Sequence, residues 1–496
     1  MQRFFQLGHH LLYLLPSLFG VLVLLCLPAT HLHAAWRSYS HDKITLVSDL
    51  PQSKARRLLQ QLVWFDPVVD HYTVPRTESA PPLRVLVFKD RDDFEKIFKQ
   101  QHFAAFTQPE LARTTLVVGP EQVDDALQNT LHEYVHYRLR TQDRSYPMWY
   151  EEGLATILST TQFDRDGDQV VRTTSHRLPA KFANVSFSKI ALPALVETTS
   201  FDRWPHRKVG GFYKRSAQLT RFLLHAEHID KVELSRALQA HLSDRSTSLF
   251  DKLQHTPAQL EQLMRQFAKT PGKPLLTVTS SVADIDPVVT ELTRDDSRLI
   301  LIQTALSANP RYAARGIRRL LKKHPEDAHL WATLAAAERQ FNPRRSAASL
   351  QQAISVNPHH PEVLLQTALR ELAACPLDRS LNCLNNWQDV TSILRQVLEH
   401  NPNHHQAIMW LGVTELYSGN PGGALNYLTI AYHRAPWAPR VNYLLGEAMR
   451  LLGNPRARHY LERARYWAYD EQLRKFAEAS LNLLPDVRIS GLPTNF

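Results

Sequence analysis

The sequence predicts two folded parts in series, an α+β domain and then an all-α solenoid of paired helices. Three observations carry this. Strand-like and helix-like patterns alternate from Trp36 to about residue 270. Pro271-Gly272-Lys273-Pro274 and the stretch from Thr277 to Ser281 then change the composition, as a linker over 271–287 would. Beyond them, Leu411-Gly412 returns as Leu445-Gly446 and Gly419-Asn420-Pro421 as Gly453-Asn454-Pro455, both at a period of thirty-four residues. With 496 residues, 44% of them hydrophobic, the chain is long enough for two or three domains. Its formal charge of +10 is modest for that length, and Lys and Arg are scattered among Asp and Glu, so nucleic acid is not expected as a partner.

Residues 1–35 read as an export signal: Arg3 precedes an apolar stretch from Leu11 to Pro28, and Ala29, Ala34 and Ala35 are small enough for a cleavage site. The stretch is nearly long enough to span a bilayer, so a cleaved signal peptide and an uncleaved membrane tether through residues 11–28 both stand. In either case the remainder is expected outside the cytoplasm, periplasmic or anchored to the inner membrane and facing the periplasm.

From Trp36 the pattern gives a strand over 43–48, a helix over 51–69, a β-branched strand over 83–88, a helix over 91–101 and a strand over 114–118. A helix from about 124 to 140 follows. Leu127, Leu131, Val135 and Leu139 recur every fourth residue along it, so one stripe faces a core while His132 and His136 share a neighbouring face. Two imidazoles one turn apart can hold a single Zn²⁺ ion. Glu133 is turned about 100° from His132 by the helical period, where a carboxylate can take a proton from a metal-activated water without being a ligand. Downstream, Pro147 suits the first turn of another helix whose apolar residues run from Trp149 through Leu154 to Ile157. A carboxylate there projects from a second helix, and Gly153 lets two helices approach closely.

His132-Glu133-x-x-His136, followed after fifteen residues by Glu152-Gly153-Leu154-Ala155, resembles the gluzincin metallopeptidases. It is similar to the peptidase-MA-like bacterial proteins and, more distantly, to the aminopeptidase N and leukotriene A hydrolase group. The resemblance covers roughly residues 40 to 270 and implies a zincin-like fold, one Zn²⁺ ion and hydrolysis of a peptide or protein substrate. Glu152 is the third ligand it implies, and Glu151 stands where the family has Asn. No Gly-x-Met-Glu-Asn element precedes the first of these helices, so nothing anchors a substrate amino terminus, and the ligand spacing is slightly shorter than in that group. In gluzincins the strand before the zinc helix often borders the substrate cleft as a sheet edge; Thr114 to Val118 is the candidate, with an internal strand as the other reading of its apolar run.

Asp164, Asp166 and Asp168 alternate, but a calcium loop counted from Asp164 would need Glu where Ser175 stands, whereas Asp166-Gly167 between β-favouring flanks signals a hairpin. Leu192 to Thr198 reads as a short helix and Phe201 to Lys208 as an aromatic and basic loop. Tyr213 is read at the head of the next helix. The aminopeptidase N resemblance implies that this Tyr donates to an oxyanion; a Tyr packed at a helix start with its hydroxyl in water is the alternative.

The thirty-four-residue period resembles tetratricopeptide repeats, with Ala424, Ala431 and Pro436 where small residues and the terminal Pro belong. Pro325, Pro358, Pro402 and Pro436 mark repeat ends at intervals of 33, 44 and 34, and the long interval implies an insertion at 375–383. Cys375 and Cys383 bound it; in an oxidising compartment they form a local disulfide or else remain two thiols. The expected domains are therefore a leader over 1–35, a gluzincin-like domain over 36–270, a linker over 271–287, repeats over 288–485 and a tail over 486–496. The combination predicts an exported zinc peptidase whose array recruits a protein substrate or partner. The alternative is a non-catalytic zinc-containing scaffold or assembly factor.

Overall fold

The structure, a computed structural model, describes residues 36–73, 80–98, 105–119, 125–142, 146–174, 190–198, 206–227, 229–243, 248–269, 275–281, 284–374, 384–468 and 471–485. The leader, the tail, residues 201–205 of the aromatic and basic loop and the pair Cys375 and Cys383 lie outside them. Among the described residues no helix is long and apolar enough to cross a membrane.

Five short strands near the start of the chain, β1 (Arg37–His41), β2 (Ile44–Ser48), β3 (Leu83–Val87), β4 (Ala105–Pro109) and β5 (Thr114–Val118), join β9 (Val288–Glu291) in one sheet of order β4-β5-β3-β2-β1-β9. β2, β3 and β5 run parallel, and β4, β1 and β9 pair antiparallel to their neighbours. Successive side chains of a strand point to opposite faces, so each central strand serves two cores. Leu46, Val85, Val87, Leu116 and Val118 meet α1 (Gln52–Asp70) and α3 (Asp125–Arg140) on one face. Val47, Leu86 and Val117 meet Phe94, Ile97 and Phe98 of α2 (Arg91–Phe98) on the other, where Ala305 of α10 (Arg294–Ala308) also packs.

Two sequence expectations change here. Thr114–Val118 is an internal strand, because a turn closed by Glu110 N–H to the Arg113 carbonyl at 2.9 Å folds the preceding residues back on it as β4. β4 is the edge of the sheet. Of the stretch 271–287, the described residues 275–281 and 284–287 are built into the fold as well. The hairpin of β6 (Thr161–Asp166) and β7 (Gln169–Thr174), which turns at Gly167-Asp168, takes β8 (Leu276–Ser281) as its third strand. Arg165 then grips Asp284 with two 2.7 Å hydrogen bonds and Ile285 N–H donates to Gln60 at 2.8 Å, after which the chain enters β9. Polar, alternately exposed strands such as β8 carry no apolar run, so composition alone reads them as loop.

The first core is completed by α4 (Met148–Leu158), α5 (Leu192–Val196), α6 (His206–His225), α7 (Lys231–Ser243), α8 (Leu249–Lys252) and α9 (Pro257–Lys269). From Arg294 on, the described residues form an all-α repeat solenoid. α10 pairs with α11 (Pro310–Leu321), α12 (Ala328–Arg339) with α13 (Pro343–Val356), and α14 (Pro361–Ala374) with α15 (Leu384–His400). α16 (His405–Tyr417) pairs with α17 (Pro421–Arg434), α18 (Pro439–Leu451) with α19 (Ala457–Trp467), and α20 (Glu471–Asn482) closes the stack. Asn309, Asn342 and Asn420 cap α11, α13 and α17 by accepting the N–H three residues on, each followed by Pro in the first turn. The recurrent Gly412 and Gly446 mark where the two helices of a pair cross: a Cβ there would come within 2.6 Å of Leu428 and 2.8 Å of Leu461.

Candidate metal centre

The helix that carries the two histidines is tied to α1 along one face. Leu131, Val135 and Leu139 are fully buried, and Arg138, 1% exposed, donates to Asp66 and Asp70 at 2.6 Å each. The Tyr134 hydroxyl donates to the same Asp66 carboxylate. These ties leave the opposite face of α3, with His132 and His136, turned toward α4.

There the Nε2 atoms of His132 and His136 stand 3.3 Å apart, and Glu152 Oε2 lies 3.3 Å from the first and 3.5 Å from the second. An ion about 2.0–2.1 Å from tetrahedral ligands would hold them roughly 3.3–3.4 Å apart, so these three atoms fit one face of a zinc tetrahedron. Glu152 Oε2 is buried and accepts no hydrogen bond, as suits an atom reserved for a metal. His132, His136 and Glu152 are also the one His, Cys, Asp and Glu group among the described residues spaced to hold an ion. Side-chain exposures of 17% for His132, 13% for Glu152 and 7% for His136 leave the site open on the His132 side.

The charges answer one another. Burial would lower the His136 pKa, but the carboxylates of Glu152, Glu151 and Glu133 outweigh it and push it up to about 10. Burial would raise Glu152, yet the charge of His136 and the close imidazole of His132 hold its carboxyl well below the usual range. Adjacent residues of a helix point about 100° apart. Glu151 accordingly faces away from the Nε2 pair, with Oε2 3.7 Å from His136 Nδ1.

Glu133 turns from the ligand set to the sheet edge, where the Thr107 hydroxyl on β4 donates to its Oε2 at 2.6 Å. Tyr213 comes within 6.1 Å of His132, ring centre to ring centre. Burial, and then the charges of Glu152 and Glu133, drive its phenol pKa well up, so it remains a neutral donor. It does not open a helix. α6 begins by His206 and runs through Gly210-Gly211, because a Gly costs a helix only about 1 kcal/mol and the burial of Phe212 and its neighbours outweighs that. Gly153 serves a different crossing from the one expected: a Cβ would strike Thr220 Oγ1 at 2.2 Å and the Ser216 carbonyl at 2.6 Å, so it is α6 that approaches α4 closely. Ser216 and Thr220 follow Tyr213 on one helical face, so this contact sets Tyr213 beside Glu152.

Several contributors leave no mark in the sequence. Thr107 sits in a five-residue strand ending in Pro109, without the β-branched run that announces a strand. Trp467, which donates to Glu151 Oε1 at 3.2 Å, comes from 316 positions away.

No family model matches the chain, and no curated protein matches it. Among solved structures, similarity is found to TTC0263, a thermophilic TPR protein in Thermus thermophilus, at 18% identity over 38% of this chain and 100% of that one, with a TM-score of 0.32. PilF of Pseudomonas aeruginosa is similar at 15% identity over 38% and 88% of the two chains, TM-score 0.29. PilW, a type IV pilus biogenesis factor, is similar at 19% over 39% and 81%, TM-score 0.26.

Proposed function

We propose that this chain is an exported zinc-dependent peptidase whose repeat array engages a protein substrate or partner. What supports the reading is the triangle of His132 Nε2, His136 Nε2 and Glu152 Oε2, with sides of 3.3, 3.3 and 3.5 Å, open on one side and flanked by Glu133 and Tyr213. Zinc held there would polarise a water and the scissile carbonyl. Glu133 takes the proton from the attacking water as the oxygen–carbon bond forms, then delivers it to the leaving amine as the carbon–nitrogen bond breaks. The Thr107 hydroxyl holds that carboxylate by Oε2. The neutral phenol of Tyr213 donates to the former carbonyl oxygen as charge grows on it. Among the described residues β4 is the outermost strand of its sheet, next to the base, an edge that extended substrate backbone could pair with.

A second reading, a zinc-containing scaffold that acts through its repeats, draws on the helical array that α10 to α20 build. It asks less of the site, needing ligands and no base. Metal analysis of the purified protein, followed by digestion of a peptide library with and without chelator, separates the two. The peptidase reading expects one zinc per chain and cleavage that chelator abolishes and zinc restores. Stoichiometric zinc with no peptide cleaved would leave the scaffold.

A further inference from the structure

Glu151 points away from the ligand triangle, yet its side chain is only 8% exposed, and a buried carboxylate persists only with partners. Three surround it. Oε2 lies 3.7 Å from His136 Nδ1 and 4.0 Å from Arg140 Nε, and Oε1 accepts the Trp467 indole N–H at 3.2 Å. His136 thus turns Nε2 toward the other ligand atoms and its buried Nδ1 toward a carboxylate 3.7 Å away, an ion-pair approach without a hydrogen bond, on the side from which a carboxylate orients a metal-bound imidazole. The indole is held in turn by the array. Trp467 ends α19, is 3% exposed, and has the guanidinium of Arg463 stacked 4.2 Å from its ring. Arg463 is itself fully buried and donates to the Pro436 carbonyl at 3.1 Å, between α17 and α18.

We propose that Trp467 is a positioning residue of the metal centre: acting through Glu151 on His136, it makes the seating of the repeat array set the affinity of the site for zinc. The inference rests on the zinc-binding part of the function proposed above and on none of its catalysis. A second indole supplies the control. Trp437 also bridges the two halves, but its indole N–H donates to the Glu110 carbonyl at 2.7 Å, and Glu110 has no hydrogen bond or ion pair to a ligand among the described residues.

The test uses the full chain, stripped of metal and titrated with Zn²⁺ against a chromophoric chelator, with the Co²⁺ absorption spectrum as a second readout. Glu151→Gln is expected to weaken zinc about 10–100-fold. Trp467→Phe, which keeps an aromatic ring but loses the N–H, is expected to weaken it about 3–10-fold. Both should shift the Co²⁺ spectrum, the double variant should be no weaker than Glu151→Gln alone, and Trp437→Phe should match wild type. Wild-type affinity and spectrum in Trp467→Phe would overturn the proposal, as would an equal loss in Trp437→Phe or a fully additive double variant. A wild-type protein that binds no zinc would overturn this inference and the zinc reading together. Wild-type protein that binds zinc but cleaves nothing, with the variants behaving as expected, would sink only the catalysis.

Discussion

Arg138 anchors the helix of the two histidines, since its guanidinium, 1% exposed, is sunk into the interface with α1 between Asp66 and Asp70. Removing one member of a buried ion pair costs about 3–5 kcal/mol, and Asp66 and Asp70 keep 20% and 31% exposure, so Arg138→Ala is expected near the low end, about 3 kcal/mol. Urea unfolding checks it; a midpoint equal to wild type would mean the pair is idle. His225, at the end of α6, carries a pH dependence of known sign. Burial, and then the charges of Lys231, His71 and Arg221, lower its pKa from 6.5 to about 4, while Nε2 pairs with the Tyr72 hydroxyl at 3.2 Å. The fold therefore holds it neutral, and the unfolded chain binds the extra proton between those two values. Its contribution is fully present above pH 6.5 and is lost as pH falls toward 4. His225→Gln should lose less stability than wild type when melted at pH 6.5 and again at pH 4; an identical loss would remove His225 as the cause.

Among elements, the crossing of α4 and α6 matters most to the site because it fixes Tyr213 relative to Glu152. Gly153→Ala would force a methyl against Thr220 Oγ1 and the Ser216 backbone. Overpacking of this kind costs about 1–3 kcal/mol, and here it pushes α6 outward, so lower thermal stability is expected together with a lower kcat at unchanged zinc content. Unchanged kcat would show that Tyr213 is not held by this contact. The legible elements are those whose signal is local. His132, Glu133 and His136 are legible because one helical turn joins them, Glu152 because its helix follows within a short connection, and Leu411-Gly412 because the crossing of paired helices repeats its demand for a small residue. β4 and β8 are short strands without an apolar run and β9 has only four residues; all three lie at sheet edges, where pairing to a neighbouring strand completes what a short local pattern leaves open. Gly210-Gly211 reads as a helix start only if tertiary burial is ignored, and the role of Glu151 depends on a residue 316 positions away.

For the whole molecule, the repeat array is part of the first domain's architecture as well as an appendage to it. α10 supplies Ala305, with Ile300 and Leu301, to the second face of the sheet, Asn309 donates to the Ile97 carbonyl at 2.8 Å, and Gln108 donates to Ser307 at 3.0 Å. A fragment ending at residue 285 lacks β9 and α10 and leaves the face of Val47, Leu86, Phe88 and Val117 with α2 but without the cover of Ala305, Ile300 and Leu301. It is expected to bind a hydrophobic dye and aggregate, whereas a fragment ending after α11 should fold; a monodisperse, dye-negative short fragment would restore an independent first domain. The proposed function has Glu133 act as the base beside a zinc held by His132, His136 and Glu152. Glu133→Gln tests it most directly, because an amide cannot accept the proton and the ligand set is untouched. Zinc content and melting temperature are expected to equal wild type, with peptide hydrolysis abolished and a deletion strain not rescued. Full rescue by Glu133→Gln with zinc bound would contradict it.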